Sequence, residues 1–384
     1  MSATAPHATQ LRTRLAVRAA AGLGLLAALG VACALMSVRT LAPLDTLFAL
    51  SALPHLLAAG MLASVALRTL YWLWVPPSRG AGILLPDARV PGLRRRVDRL
   101  CAQLGARRID HIVVTPDMNA AVLCRPAFGL CGPMRTTLLL GIPLAHSLTA
   151  RQLSAVLAHE LAHLSAQLDR AGAWSAHLRT WWLRCVDRID GDRSMTARLL
   201  LWLLAPVARL DLEQSVALSR LDEFEADAVA SRAVGSPALA GALIELAMKD
   251  RFLHDDYWVR VMDQAEDRRR PRMRPFREMG LGVQVGFVRR EALAGLDHLL
   301  RSDGGSLDTH PSLPERLEAL RIGRLGGLPV AAEGPSAAEH YFAGLLPTLS
   351  LAFDRMWWRA SADDWRQRYR QARGQRRLKR RALL

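Results

Sequence analysis

The chain has 384 residues, of which 51% are hydrophobic, and it carries a formal net charge of +16 at pH 7. This content supports a sizeable core in one large or two small domains, and the arginine excess suits a negative surface such as anionic lipid or nucleic acid. The cysteines are odd in number and form no CxxC pair, which argues against a disulfide framework and a cysteine metal site. Reduced thiols are therefore expected at Cys33, Cys101, Cys124, Cys131 and Cys185.

Two charge-free runs near the N-terminus predict membrane-spanning helices. The first holds twenty residues (19–38) and the second twenty-two (46–67). Each is about as long as a helix that crosses a bilayer core, although Pro54 interrupts the second. We therefore expect two transmembrane helices within 19–75. A pair of buried core helices is the alternative, and the first run alone could also be read as a signal peptide.

The flanking arginines predict how these helices are oriented. Arginines precede the first run and follow the second, whereas the connection holds only Arg39, which Asp45 offsets. The positive-inside rule then places both outer flanks in the cytoplasm, with 1–18 as a cytoplasmic segment. The aromatic stretch Tyr71–Trp74 is typical of the point where a helix leaves the bilayer. The arginines on the outer flanks are Arg12, Arg14, Arg18, Arg68, Arg79, Arg89, Arg94, Arg95 and Arg96.

The rest of the chain predicts a mainly α-helical domain with a small β-sheet. Gly105 is a predicted helix end, and Thr149 with Gln152 forms a predicted capping box at the start of another helix. Residues 263–280 are charged and broken by prolines, which indicates a surface loop. Short strands are expected at 110–115 and 136–141, and helices at 92–105, 149–165, 174–189, 211–235 and 237–253.

A third apolar run, Leu199–Ala208, is too short to span a membrane as a helix. It could be a core helix or a segment that lies on the bilayer surface.

The segment SAVLAHELAHLSAQ contains two histidines four residues apart, His159 and His163. On a helix, this spacing puts both imidazoles on one face, where they can share a metal ion. Glu160 flanks the same face and could act as the base for water in metal-assisted hydrolysis. A chance occurrence in an ordinary packed helix is the alternative.

A second pair at helical spacing follows about sixty residues later, in SRLDEFEAD. Glu223 could supply the third protein ligand that a catalytic zinc requires. Asp227, one turn further, could accept a hydrogen bond from a liganding histidine and fix its tautomer. A solvated acidic helix face is the alternative, since Asp222 and Glu225 lie on the same helix.

Together these motifs resemble those of the M48 metallopeptidases, membrane-associated zinc proteases that include the heat-shock protease HtpX and the CAAX prenyl protease. The likeness rests on LTARQLSAVLAHELAH, then SRLDEFEADAVAS, then THPSLPERLEAL, with His310, Pro311 and Arg316 in place. The stretch NAAV from Asn119 is similar to the family's active-site edge strand. The resemblance implies a membrane-anchored gluzincin-type metalloprotease domain over 90–325.

Carried over by position, the resemblance implies that His159, His163 and Glu223 bind one zinc ion and that Glu160 is the general base. Asp227 would orient a liganding histidine from outside the ligand set. Asn119 would line the cleft in which substrate adds as a strand. His310 would stabilise the oxyanion, act as a fourth ligand in the resting enzyme, or serve only the structure.

Three features depart from the family pattern. Asp222 stands where many members carry a basic residue. Members similar to HtpX have further spans between the two zinc-binding segments, where this chain has only Leu199–Ala208. The chain is also far smaller than the CAAX protease, so cleavage of prenylated peptides is not implied.

The segment 336–384 lies beyond the resemblance and is rich in tryptophan and arginine. Trp357, Trp358 and Trp365 alternate with arginines, which could place the segment on an anionic membrane surface. Nucleic-acid binding and a helix packed on the core with a basic end are the alternatives.

The motifs therefore predict a membrane-anchored zinc endopeptidase of the bacterial inner membrane, with its catalytic domain in the cytoplasm. Its expected partners are a protein or peptide substrate and the lipid bilayer, and its expected cofactor is one zinc ion per chain. Two alternatives are a non-catalytic zinc-binding scaffold and a membrane-tethered nucleic-acid binder that uses the basic tail.

Overall fold

A computed structural model describes residues 4–42, 52–74, 82–128, 132–165, 170–287, 296, 300, 310–322 and 334–382. The protein is mostly helical with one small sheet, as the sequence predicts. The helices are α1 (Thr4–Leu41), α2 (Leu53–Leu73), α3 (Pro91–Leu104), α4 (Ile142–Ser147), α5 (Ala150–Ser165), α6 (Arg170–Asp190), α7 (Met195–Val234), α8 (Ser236–Phe252), α9 (Trp258–Asp267), α10 (Pro275–Gly286), α11 (Leu313–Ala319), α12 (Ala337–Phe342) and α13 (Leu346–Ala382).

The helices α1 and α2 pack against each other as an apolar pair. The hydroxyl of Ser37 donates to the carbonyl oxygen of Ala59 at 2.8 Å, which joins the end of α1 to the first half of α2. Ala8–Leu41 and Leu53–Leu73 are each long and apolar enough to cross a membrane, and most of their side chains face outward. This exposure fits a membrane anchor and not a pair of core helices.

The sheet contains four strands in the order β1-β2-β4-β3. The central strands β2 and β4 are parallel, and each pairs with its outer neighbour in antiparallel fashion. β2 and β4 are the two strands that the sequence predicts, whereas the three-residue β1 was not expected. β3 occupies an edge of the sheet. The strands are β1 (Ile83–Leu85), β2 (His111–Thr115), β3 (Ala120–Pro126) and β4 (Met134–Gly141).

Local sequence signals set the ends of several elements. Gly105 adopts a left-handed conformation at φ 63° and ends α3, as predicted. Before α5, Gln152 accepts from the backbone N–H of Thr149 at 3.0 Å, and the Thr149 hydroxyl accepts from the N–H of Gln152 at 3.3 Å. The predicted capping box is therefore present. Gly141 is required where β4 ends, because a Cβ there would lie 1.7 Å from the Asp117 carbonyl oxygen.

The helix α5 runs through the centre of the main hydrophobic core. Its residues from Leu153 to Ala158 are buried, as are Leu161, Ala162 and Leu164. They pack against α3, α7, α8 and the edge strand β3. A helix buried on nearly all sides holds its side chains in fixed positions, so α5 is a rigid support for the polar residues it carries.

The helices α6 and α7 form a long hairpin that packs on α1 and α2. The sequence suggested separate segments at Leu199–Ala208 and 211–235, but α7 is one helix of 40 residues with Pro206 inside it. Leu200 and Leu204 pack towards α1 and α6, whereas Trp202 and Leu203 are exposed. One face of this run therefore packs on a buried cluster, whereas the other face is exposed, so both alternatives for the run stay open.

The prediction of a surface loop over 263–280 is wrong for most of its length. α9 continues to Asp267, and α10 begins at Pro275. Pro275 suits the first turn of a helix, where its missing N–H is not needed. Phe276 is buried, and its backbone N–H donates to the Asp354 carboxylate at 2.8 Å. These contacts come from a distant part of the chain, so local composition did not reveal them.

The long C-terminal helix α13 packs on α9 and α10. Trp365 is buried, and its indole N–H donates to the carbonyl oxygen of Arg268 at 2.9 Å. Trp357 contacts Trp258 of α9, with 6.2 Å between ring centroids. Of the alternatives for this segment, the packed helix with a basic end is the one that the structure supports.

Candidate metal centre

Two histidines of α5 project towards one point. The rings of His159 and His163 lie edge to face, with 4.9 Å between their centroids. His159 is buried and His163 is partly exposed. The spacing of four residues places the rings on the same helix face, as predicted. Glu160 follows His159 directly and is half-buried.

The helix α7 brings Glu223 to the same point. One carboxylate oxygen of Glu223 lies 3.3 Å from Nε2 of His159, and the other lies 3.5 Å from Nε2 of His163. One potential ligand atom from each of these residues lies within 4.8 Å of the others. Residues about sixty positions apart in the sequence therefore converge on one small polar cluster.

This cluster fits a zinc ion in both chemistry and spacing. Two imidazole nitrogens and one carboxylate are a donor set that zinc prefers. Ligand atoms at zinc bond lengths in a tetrahedral arrangement lie roughly 3.3 Å apart. The separations of 3.3 and 3.5 Å, each to a different oxygen of Glu223, are close to that value, and all three ligand atoms lie within 4.8 Å of one another.

Asp227 contacts the outer nitrogen of His159. Its Oδ1 accepts from Nδ1 of His159 at 2.8 Å, and its side chain is only 1% exposed. This hydrogen bond leaves Nε2 of His159 directed at Glu223. The structure therefore brings Asp227 to the position in which a carboxylate fixes the tautomer of a liganding histidine.

Arg316 closes the cluster from α11. Its Nε donates to Oδ2 of Asp227 at 2.8 Å and its Nη2 to Oδ1 at 2.7 Å, a bidentate pair. Ser312 and Glu315 form a capping box at the start of α11, which fixes this short helix. Arg220 lies elsewhere and donates to Glu315 at 2.5 Å. The sequence left the partners of both arginines open.

His310 also reaches the cluster. Its Nδ1 lies 3.1 Å from Oε1 of Glu223, although 71% of its side chain remains exposed. Asn119 lies in the turn before β3, and its carbonyl oxygen accepts from the N–H of Gly141 at 2.8 Å. Asn119 therefore lies at the start of an edge strand that packs on α5.

The charges of the cluster perturb several pKa values. Burial acts to raise the pKa of Glu223, but hydrogen bonds from His159, His163 and His310 outweigh it and hold the pKa below its usual range. Burial acts to lower the pKa of His159, but its bonds to Asp227 and Glu223 raise that pKa to about 9. The pKa of His310 is raised, chiefly by its bond to Glu223.

Glu160 differs from the other carboxylates. Burial raises its pKa, and the attraction of His159 and His163 only partly opposes this effect. A carboxylate with a raised pKa is a better proton acceptor near neutral pH than an ordinary glutamate. By contrast, bonds from Arg316 and His159 outweigh burial at Asp227 and lower its pKa.

Arg12, which the sequence marked only as a flanking arginine, lies on α1 beside the cluster. Its Nη2 lies 2.6 Å from Oδ1 of Asp222 and 2.7 Å from Oε2 of Glu225. Asp222 is the acidic residue that departs from the family pattern, and a carboxylate so close to a second acidic side chain requires a cation. The two neighbouring acidic residues in the sequence indicated that a cation lies close to them, but they did not indicate which arginine it is.

A known protein family matches this chain. The model of peptidase family M48 matches residues 91–322, the stretch that contains α3 to α11. No curated protein and no solved structure matches the chain. The narrower likeness to HtpX and the CAAX protease therefore remains a prediction. Since the matched stretch covers more than half of the sequence and carries the clustered histidines and carboxylates, the chain belongs to peptidase family M48.

Proposed function

We propose that this protein is a membrane-anchored, zinc-dependent endopeptidase with His159, His163 and Glu223 as the protein ligands of one zinc ion. The observation that carries the proposal is the convergence of these three side chains from α5 and α7 at zinc-like separations. Membership of a metallopeptidase family gives the reaction class.

The reaction is the hydrolysis of a peptide bond. Zinc, when bound, polarises the scissile carbonyl and makes water a stronger nucleophile near neutral pH. Glu160 accepts a proton from water as the water oxygen attacks the carbonyl carbon. It then donates this proton to the amide nitrogen as the carbon–nitrogen bond breaks, which releases an amine and a carboxylic acid. Its raised pKa suits both transfers.

Asp227 and Arg316 position His159. Asp227 holds Nδ1 of His159, and the bidentate bond from Arg316 holds Asp227 in place. With Nδ1 occupied, Nε2 is the nitrogen available to the metal. The positive charge of Arg316 also partly compensates the two buried carboxylates, since it lies 3.7 Å from Glu223.

The edge strand β3 supports a mode of substrate binding. It pairs with β4 on one side and packs on α5, which carries the metal-binding histidines. An extended peptide could add along the free edge through backbone hydrogen bonds. We propose that Asn119, at the start of β3, lines this cleft.

The position of His310 supports a role at the metal centre. Its ring contacts a carboxylate oxygen of Glu223, so a purely structural function of the segment is disfavoured. Two roles fit this contact, stabilisation of the oxyanion and occupation of a fourth ligand position in the resting enzyme. Substitution of His310 by Ala lowers activity in the first case and raises basal activity in the second.

We place the protein in the bacterial inner membrane with the catalytic domain in the cytoplasm. The arginine distribution supports this orientation. The contacts of Arg12 with α7 put the start of α1 and the metal centre on the same side, and the arginine distribution is what selects the cytoplasm as that side. A reporter fused after Leu384 is expected to give a cytoplasmic signal, and a periplasmic signal would contradict the orientation. The substrate class, membrane-associated or misfolded proteins, rests on analogy with the family.

The test compares the wild type with Glu160→Gln in detergent-purified full-length protein. Zinc content and cleavage of casein or of the protein itself are measured together. One zinc in both proteins, with cleavage only by the wild type, is the expected result. Zinc in both with wild-type activity in the variant would remove Glu160 as the base, and zinc in both without any cleavage would favour the scaffold alternative.

A further inference from the structure

A groove of about 780 Å³ lies between α2 and the tip of the α6–α7 hairpin. Ser194, just beyond the groove, caps α7 at its start, and Glu223 lies 29 residues further along the same helix. At 1.5 Å per residue this is about 43 Å of helix. The groove is therefore well separated from the metal centre and does not form part of the peptide cleft.

One half of the groove is apolar and follows α2. Gly60, Ala63 and Leu67 line it, and their spacing puts them on one face of the helix. A Cβ added at Gly60 would meet nothing within 4 Å, so the groove is open there. The apolar face is about 10 Å long from Gly60 to Leu67. It lies within a helix apolar enough to cross a membrane, and it suits a hydrocarbon chain.

The other half of the groove is strongly basic. Arg68, Arg188 and Arg193 line it together with one acidic residue, Asp192, so its formal charge is +2. Asp192 is already occupied, because it accepts from Arg68 at 3.0 Å and from the indole N–H of Trp72 at 3.0 Å. Arg188 and Arg193 have no carboxylate partner among the described residues. The uncompensated positive charge suits an anion.

Arg188 in addition has a hydrogen-bond donor without a partner. Its guanidinium lies over the ring of Tyr71, 4.1 Å from the ring centroid. Its Nε is shielded from solvent and donates to no group in the described part of the chain. Because this nitrogen has no exposed surface, an anion in the groove would contact the guanidinium of Arg188 through its other nitrogens. Phosphate oxygens are strong acceptors for arginine.

We propose that this groove binds an anionic phospholipid, with the phosphate headgroup at Arg188 and Arg193 and an acyl chain along Gly60, Ala63 and Leu67. The two halves of the groove are arranged like a lipid in a bilayer. The basic half, for the headgroup, lies at the end of α2 where Tyr71 is exposed, and the apolar half, for the acyl chain, lies further inside the helix. This inference rests on the membrane anchoring in the proposed function. The bound lipid joins the anchor to α7, which extends from the groove to the metal centre.

The test is native mass spectrometry of the full-length protein in mild detergent with phosphatidylglycerol or phosphatidylcholine added. We expect phosphatidylglycerol to be preferred, and the double variant Arg188→Gln/Arg193→Gln to bind it about tenfold more weakly. Arg198→Gln is the matched control, because Arg198 is an exposed arginine of the same hairpin that does not line the groove. Gly60→Phe, which keeps every charge but fills the apolar half, is expected to weaken binding as well.

Several outcomes would overturn the lipid site. One is equal binding of the two lipids, and another is unchanged binding by the double variant or by Gly60→Phe. If excess inorganic phosphate binds alone and displaces phosphatidylglycerol, the site serves a soluble anion. Flotation of the protein with pure phosphatidylcholine vesicles tests membrane anchoring separately from lipid binding in the groove. A wild-type chain that floats but shows no lipid preference refutes the lipid site alone, whereas a chain that does not float refutes the anchor.

Discussion

Glu223 and Asp227 lie one turn apart on α7 and perform different tasks. Glu223 faces the two imidazole Nε2 atoms and is a metal-ligand candidate, whereas Asp227 contacts only the outer nitrogen of His159 and the guanidinium of Arg316. This division follows from helix geometry, because side chains four residues apart share a face but differ in height by about 6 Å.

Replacement of Asp227 by Asn is expected to weaken zinc binding by about 10- to 100-fold without unfolding the protein. The amide keeps the size of the side chain but loses the charge that holds Nδ1 of His159 and pairs with Arg316. Competition with a calibrated chelator measures this loss. Glu213→Gln is the control, since Glu213 is an exposed carboxylate of the same helix. Equal zinc affinity in the Asp227 variant and the wild type would remove Asp227 from the site.

Zinc binding is expected to release a proton and to strengthen as the pH rises. The pKa of His159 in the metal-free protein is about 9, so this imidazole is charged at pH 7 and must lose its proton to bind zinc. The apparent affinity therefore rises about tenfold per pH unit up to pH 9 from this group alone. Calorimetry in buffers of different ionisation enthalpy counts the protons, and zinc affinity independent of pH between 7 and 9 would contradict this assignment.

The same pKa has an opposite consequence for the metal-free protein. Because the pKa of His159 is raised on folding above 6.5, the charged imidazole contributes stability that is fully present below pH 6.5. This contribution is lost as the pH rises through about 9. The metal-free protein is therefore expected to unfold more readily in alkaline buffer, with zinc reversing the trend.

At the residue scale, the sequence predicts the site well. The helical spacing of His159 with His163, and of Glu223 with Asp227, fixes which side chains share a face before any tertiary contact is known. The positions of Arg12, Arg316 and His310 could not be derived in this way. Their contacts join α1, α11 and the segment before α11 to α7, and no local periodicity encodes such distant pairings.

The helix α1 packs both on α2 and on the site-bearing helix α7. Its first turns pack on α7, where Ala8 and Leu15 bury Leu218 and Arg12 pairs with Asp222 and Glu225. These contacts hold the part of α7 that carries Glu223. The first turns of α1 therefore support the part of α7 that carries the candidate metal ligand Glu223.

Arg12→Gln is expected to weaken zinc retention by up to about tenfold, since part-exposed ion pairs contribute about 1 kcal/mol or less. The variant removes the ion pairs that hold α1 on the part of α7 that carries Glu223, so the position of this ligand becomes less fixed. Zinc release to a chelator over time is the measurement. Arg14→Gln is the matched control, because Arg14 is exposed on the same helix. Equal zinc release by both variants would show that the contacts of Arg12 with α7 do not affect the site.

Trp365→Ala is expected to destabilise the protein by about 3–5 kcal/mol, because the ring is fully buried where α13 meets the core. Trp358→Ala, at a partly exposed position of the same helix, is expected to cost much less. Urea unfolding in detergent measures both. If the two variants are equally stable, α13 does not pack on α9 and α10 as described, and the membrane-surface alternative for this segment regains support.

At the element scale, the ends of helices are predicted better than their continuity. Gly105 and the Thr149 capping box are local signals, and the structure confirms both. Leu199–Ala208 was expected as a separate segment and the prolines of 263–280 suggested a loop, but α7 continues through Pro206 and α10 starts at Pro275. A proline removes one donor and perturbs a turn, and packing with other helices can outweigh that local cost.

At the scale of the whole molecule, α7 connects two functional ends. Its start lies at the basic groove beside α2, and its second half carries the carboxylates of the metal centre. α1 runs alongside it from the same anchor.

The most direct test of the account is the zinc content of full-length protein after dialysis, for the wild type, Glu223→Gln and Glu213→Gln. One zinc per chain is expected in the wild type and in Glu213→Gln, and a loss of most of the zinc is expected in Glu223→Gln. A wild-type protein without zinc, or a Glu223→Gln variant that retains it fully, would contradict the proposed metal centre.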